Sequence, residues 1–134
     1  LRTFVLWVAA RFARRAGRRA DAAAVLGEAL QYAADTGERF LLPELLRLSA
    51  QVEADRGDSA AARRVLEEAL AVAREQGAVT CEVRVLTALW AAPRADRARW
   101  LPDLRARVEA IGPVLRGPDR SELEAVLGSP LGPG

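Results

Sequence analysis

The sequence predicts an all-α protein, a solenoid of about three stacked helix pairs closed by a short C-terminal capping helix. Three observations lead there. Apolar residues recur at helical spacing along most of the chain, and no stretch alternates with the period of a strand. The segment "VLGEALQYAADTG" (Val25–Gly37) returns forty residues later as "VLEEALAVAREQG" (Val65–Gly77). The chain is 51% hydrophobic but only 5% aromatic, so Ala, Leu and Val must fill its core. Ala and Leu lose little on entering a helix.

The elements follow in order. From Thr3 to Ala16, Val5, Val8, Ala9, Phe12, Ala13 and Ala16 recur at helical spacing, with Arg11, Arg14, Arg15 and Arg18 on the other face. Gly17 stops this helix. A second starts near Ala20, carries Ala22, Val25, Leu26, Ala29, Leu30 and Ala33 on one stripe, and ends at Gly37. A glycine just past a helix is its usual terminator, because it reaches left-handed dihedrals without a Cβ clash. The third opens near Pro43, tolerated in a first turn, with Glu44 suiting the positive helix end, and runs to Arg56. Asp58 or Ser59 offers a side-chain cap to the fourth, about Ala60–Glu75. A fifth, about Val79–Ala91, carries Val83, Val85, Leu86 and Leu89 before Pro93. Pro102 then marks either a first turn or a kink in the sixth helix. Asp119 or Ser121 offers a cap for the closing helix, and residues 129–134 read as a frayed tail.

The repeat organises these elements. Gly17, Ala20, Ala22, Val25, Leu26, Glu28, Ala29, Leu30, Ala33 and Gly37 are each met by the same residue type forty positions on, without a gap. Leu6 meets Leu46 and Ala10 meets Ala50. A fixed period of this size is the mark of a helical solenoid. A single helix pair cannot bury its apolar stripe, so neighbouring pairs stack and share one core. The repeats are expected over 3–37, 43–77 and 79–111 and the cap over 119–127, one domain of residues 1–128. Leu26, Leu30, Leu66, Leu70 and Leu86 are expected inside it.

Composition excludes much chemistry. The chain has no His and no Lys, and all twenty basic residues are Arg. The usual ligands for zinc, copper or haem are missing, and Cys81 is alone, so neither a metal centre nor a disulfide framework is expected. A reducing, cytoplasmic setting fits best, with no cofactor. Acid–base work would fall to carboxylates, Tyr32 or Cys81. Glu67 and Glu68 are adjacent and splay by about 100° on a helix. Asp55 and Asp58 flank a turn without a third ligand. No enzyme is expected. The apolar run Phe4–Ala10 is too short for a bilayer, which needs about 20 residues, and is followed by arginines rather than a cleavage site. The first residue is Leu1, as in a fragment or a chain with an alternative start codon.

Spacing within each unit resembles a tetratricopeptide repeat. The first helix has a large apolar residue and a small one four later (Leu6 and Ala10; Leu46 and Ala50). The second has Ala-x3-Leu-x2-Ala (Ala22, Leu26, Ala29; Ala62, Leu66, Ala69). The joins "TGERF…PELLRL" (up to Leu48) and "AREQGAVTCEVRVLTAL" (up to Leu89) resemble the C-terminal helical region of bacterial signal-transduction ATPases. So do "ARWLPDL" (Ala98–Leu104) and "DRSELEAVL" (Asp119–Leu127). These ATPases include LuxR-type (MalT-like) transcriptional regulators and proteins with adenylate-cyclase-like domains. The resemblance covers nearly the whole chain, although the period is longer than the family's usual one. It implies a right-handed solenoid that serves signal transduction as a protein-binding or sensor arm. A Walker A loop requires a lysine, so the chain resembles only the tail of such a protein.

Carried over from the resemblance, the concave groove is expected to hold Trp7, Arg11 and Arg14, then Glu44, Arg47 and Gln51, then Glu82 and Leu89. Its partner would be a protein, a peptide or an upstream domain of the same polypeptide. Glu82 and Leu86 replace the basic residues expected in a two-carboxylate clamp, which disfavours a chaperone tail. The apolar Phe4, Val5, Trp7 and Val8 suit an upstream repeat or a homodimer. A weaker reading is nucleic acid on Arg11, Arg14, Arg15, Arg18 and Arg19. The tryptophans are not interleaved with that basic run, as base stacking would prefer.

Overall fold

The computed structural model describes residues 1–90, 97–111 and 117–127. Among them it contains helices α1 (Arg2–Arg15), α2 (Arg19–Thr36), α3 (Leu42–Asp55), α4 (Ser59–Gln76), α5 (Val79–Trp90), α6 (Arg97–Ile111) and α7 (Gly117–Leu127), and no strand. The protein is all-α. Helix ends agree with the sequence reading to within one or two residues for α1 to α5. The tail expected over 129–134 lies outside the described residues. No helix among the described residues is long and apolar enough to cross a membrane.

The chain divides into two compact units, Leu1–Val72 and Ala73–Gly134. In the first unit, α1 packs along α2, and α2 packs on α3. Ala10, Ala22, Leu26, Ala29, Ala33, Leu45, Leu48 and Val52 form one buried cluster, fringed by Leu6, Trp7, Ala13, Ala23, Val25 and Leu30. Three of the four α2 residues in it are alanines. Where the stripe carries only methyl groups the neighbouring helices can come close, and Leu26 with the large side chains of α3 fills the spaces between them. Leu26, Leu66, Leu70 and Leu86 are buried as expected. Leu30 is only half-buried, because it lies at the margin of the cluster.

The turns use the chemistry written for them. Gly37 ends α2 with φ 70°, and its repeat-mate Gly77 has φ 65°, a region that a Cβ makes costly. Asp58 caps α4 by accepting a 2.9 Å hydrogen bond from the Ala61 amide. Asp119 is no cap. α7 begins at Gly117, so Asp119 falls in its first turn, where its carboxylate accepts 2.9 and 2.8 Å bonds from Arg84. Pro102 lies inside α6, five residues after its start at Arg97.

In the second unit α5 packs against α6 and α7. α5 is buried on most sides, Cys81, Val83, Val85, Leu86 and Leu89 together with the polar Glu82 and Thr87, as befits a helix packed against others. α6 contributes Leu104 and α7 contributes Leu123, both fully buried.

Helix threonines divide into two kinds. Thr36 and Thr87 donate to the carbonyl four residues earlier, at 2.8 and 2.7 Å. Thr3 is fully buried, unlike the exposed Thr36, and its Oγ1 has no partner. Thr3→Val keeps the shape and removes the orphaned hydroxyl. It is expected to raise stability by about 1 kcal/mol, read as a higher urea midpoint at unchanged slope.

Candidate functional site

Six of the eight residues expected in a groove belong to the first unit. Trp7, Arg11 and Arg14 are on α1, and Glu44, Arg47 and Gln51 are on α3; all six are half-buried. Spacings of three and four keep each trio on one face of its helix. Trp7 and Arg47 are repeat-equivalent, as are Arg11 and Gln51, so the two faces share one register. Phe4 tilts against Trp7 with ring centroids 5.9 Å apart. The Arg11 guanidinium lies 4.6 Å from the Trp7 ring centroid on its other contact, a cation–π pair that anchors a long side chain.

Arg14 joins the two helices. Its Nε and Nη2 donate to both carboxylate oxygens of Asp55, at 2.7 and 3.2 Å. That two-pronged geometry fixes orientation as well as distance. Glu44 accepts from Arg47 at 3.1 Å along α3. The face therefore offers one aromatic surface, a stacked guanidinium and alternating charge.

Glu82 and Leu89 are not on such a face. Both belong to the second unit and both are buried, Leu89 completely. The physical reason is register. Forty-residue steps carry Glu82 onto Leu42 and Arg2, and Leu89 onto Ser49 and Ala9, far around the helix from Trp7 and Arg11. The position on α5 that matches Phe4 and Glu44 is Arg84, which is half-buried and bound to Asp119. Strict use of the repeat would have found it.

Glu82 is instead the centre of an ion cluster. Its Oε1 accepts from Arg74 Nε at 2.9 Å and faces Arg107 Nε at 3.0 Å, and Arg74 Nη2 reaches Asp103 at 2.6 Å. The carboxylate is nearly sequestered while both guanidiniums keep about two-fifths of their surface in water. Burial alone would lower the Arg74 pKa. Its hydrogen bonds to Asp103 and Glu82, and the two negative charges, outweigh burial and hold it above the ordinary arginine value. Arg74, Asp103 and Arg107 were not singled out from the sequence, since partners up to 29 positions apart leave no local signal.

The other candidates are occupied structurally. Asp55 holds Arg14 and Asp58 caps α4, so the pair is not an open cation site. Cys81 is buried. Of the basic stripe, Arg11 lies on Trp7 and Arg14 on Asp55, which leaves Arg15, Arg18 and Arg19 exposed. No protein-family model matches the chain, and neither a curated protein nor a solved structure matches it.

The cluster around Glu82 makes a non-additive prediction. Arg74→Ala or Arg107→Ala alone leaves the buried carboxylate one cation, at a cost of about 1 kcal/mol or less for these partly exposed pairs. Together they strand it, and the loss is expected to be about 3 kcal/mol, measured as a double-mutant cycle in urea. The raised Arg74 pKa means its contribution is fully present below the unfolded value. It is lost only as pH rises through the folded value, so the cycle should be flat across neutral pH.

Proposed function

We propose that this chain is a non-catalytic protein-binding arm whose contact face is formed by α1 and α3. The observation that carries this reading is the aligned pair of half-buried faces, Trp7–Arg11–Arg14 and Glu44–Arg47–Gln51, clamped by Arg14 and Asp55. A rigid aromatic anchor beside satisfied, mixed charges suits a peptide or a neighbouring domain better than a small substrate. Catalysis is disfavoured because the chain has no His or Lys and because Asp55, Asp58 and Glu82 already serve the fold.

In this reading the helices form a right-handed, tetratricopeptide-like solenoid of three pairs, as the forty-residue repeat and the resemblance to bacterial signal-transduction ATPases suggest. The arm would lie in the cytoplasm at the C-terminal end of a LuxR-type or related transcriptional regulator. By binding a partner there it would bias an ATPase switch elsewhere in the polypeptide. A free-standing adaptor is the competing reading, and nucleic acid on the remaining exposed arginines a weaker one.

An antibody raised to this chain separates the first two. In source cells the native gene product is expected far above 14.5 kDa; a band at that mass leaves only the adaptor. Substitutions separate protein from nucleic acid. Arg47→Glu reverses charge at the centre of the face and is expected to weaken the partner by about tenfold or more. Arg15→Glu with Arg18→Glu should leave that affinity unchanged. If only the double variant matters, and binding to mixed DNA falls steeply with salt, the groove assignment is overturned.

A further inference from the structure

The first helix of each pair carries an apolar seam at one fixed register. On α3 it is Leu41, Leu45, Leu48 and Val52; on α5 it includes Cys81, Val85 and Ala88; on α1 it is Leu1, Val5, Val8 and Phe12. Alternating steps of four and three place such residues on one narrow stripe, the spacing of a coiled-coil seam. On α3 that stripe is covered. Leu45, Leu48 and Val52 are at most 5% exposed because they share a cluster with Ala22, Leu26, Ala29 and Ala33 of α2. On α5, Cys81 and Val85 are buried as well.

The same stripe on α1 is open. Leu1 is 90%, Val5 57% and Phe12 68% exposed, and Val8 is half-buried. At about 100° per residue the stripe lies across the helix from Ala10, which meets the core. Single exposed apolar residues need no explanation, but a repeated seam covered at one register and bare at the next does. The repeat itself says what covers it, because the helix that seals Leu45, Leu48 and Val52 is known.

We infer that the Leu1–Val5–Val8–Phe12 seam docks one more helix of the α2 kind, the second helix of a further pair joined ahead of Leu1 as α2 is joined ahead of Leu41. Its contact stripe is Ala-x3-Leu-x2-Ala-x3-Ala, the pattern of Ala22, Leu26, Ala29 and Ala33, repeated as Ala62, Leu66, Ala69 and Ala73. A second copy of the chain cannot supply it, since all eight of those residues are buried. A second copy could offer only its own α1 seam. Four side chains from each partner fall well short of the roughly 20–30 residues a side of a stable interface. A helix in the same polypeptide needs no such area, because the tether supplies its effective concentration. The inference stands whether or not the arm belongs to a regulator.

A tandem chain tests it. Residues 1–40 are placed ahead of the full chain, so that residues 37–40 precede the inner Leu1 as they precede Leu41. The tandem is expected to unfold with an equilibrium constant at least about tenfold smaller than the single chain's. Phe12→Asp in the inner copy should reverse that gain, and in the outer copy it should leave the gain intact. Equal effects in both copies, or no gain, overturn the proposal. Two measurements on the single chain keep it testable if the tandem does not fold. Phe12→Asp there should leave the urea midpoint unchanged, and light scattering should report a monomer. A dimer that Val5→Asp dissolves would assign the seam to a second copy instead.

Discussion

The first unit depends on how closely α2 can be approached. Its buried stripe is Ala22, Leu26, Ala29 and Ala33, and the three alanine methyls hold neighbours only through dispersion at short range. Such contacts are individually tiny and forfeit much of their energy over a fraction of an ångström. The backbone of α2 must therefore lie near both α1 and α3, and the bulk that fills the core comes from Leu45, Leu48 and Val52. A larger residue on the stripe would separate the helices, and a smaller one on α3 would leave a void. This division of labour explains how a chain with few aromatic residues builds a dense interior.

Electrostatics completes what close packing begins. Arginine is the chain's only basic side chain besides the terminal amine, and its planar fork can bond two oxygens or two carboxylates at once. Arg14 bonds both oxygens of the one Asp55 carboxylate, orienting α1 against α3. Arg74 spans Glu82 and Asp103, tying the end of α4 to α5 and α6 within the second unit. Arg84 does the same for α5 and α7 through Asp119. A lysine, a point charge on a flexible stem, could not reproduce these pairings.

The proposed contact face and the open seam are different surfaces of α1. Trp7, Arg11 and Arg14 share one half-buried face of α1, with Arg11 lying on Trp7 and Arg14 bound to Asp55 of α3. Leu1, Val5, Val8 and Phe12 lie away from the core and carry no polar group. One surface suits recognition, because its charges are satisfied yet reachable. The other suits permanent burial, because nothing on it recovers the cost of exposure to water. One short helix thus carries both a half-buried face of mixed charge and an open apolar seam.

The sequence by itself determined the all-α class, the places where α1 to α5 begin and end, and the alanine–leucine stripe. These are local properties: periodicity, capping and the dihedral freedom of glycine act over a few residues and repeat visibly at Gly37 and Gly77. The repeat also places Arg84, not Glu82 or Leu89, at the register of Glu44. Only the tertiary structure decided the ion clusters and the division into two units. Glu82 reads as one more surface carboxylate until Arg74 and Arg107 are seen to close over it, and Asp119 reads as a cap until Arg84 claims it. Those partners are distant in sequence, and side chains that meet only after the backbone has folded leave no pattern in the chain that brings them together.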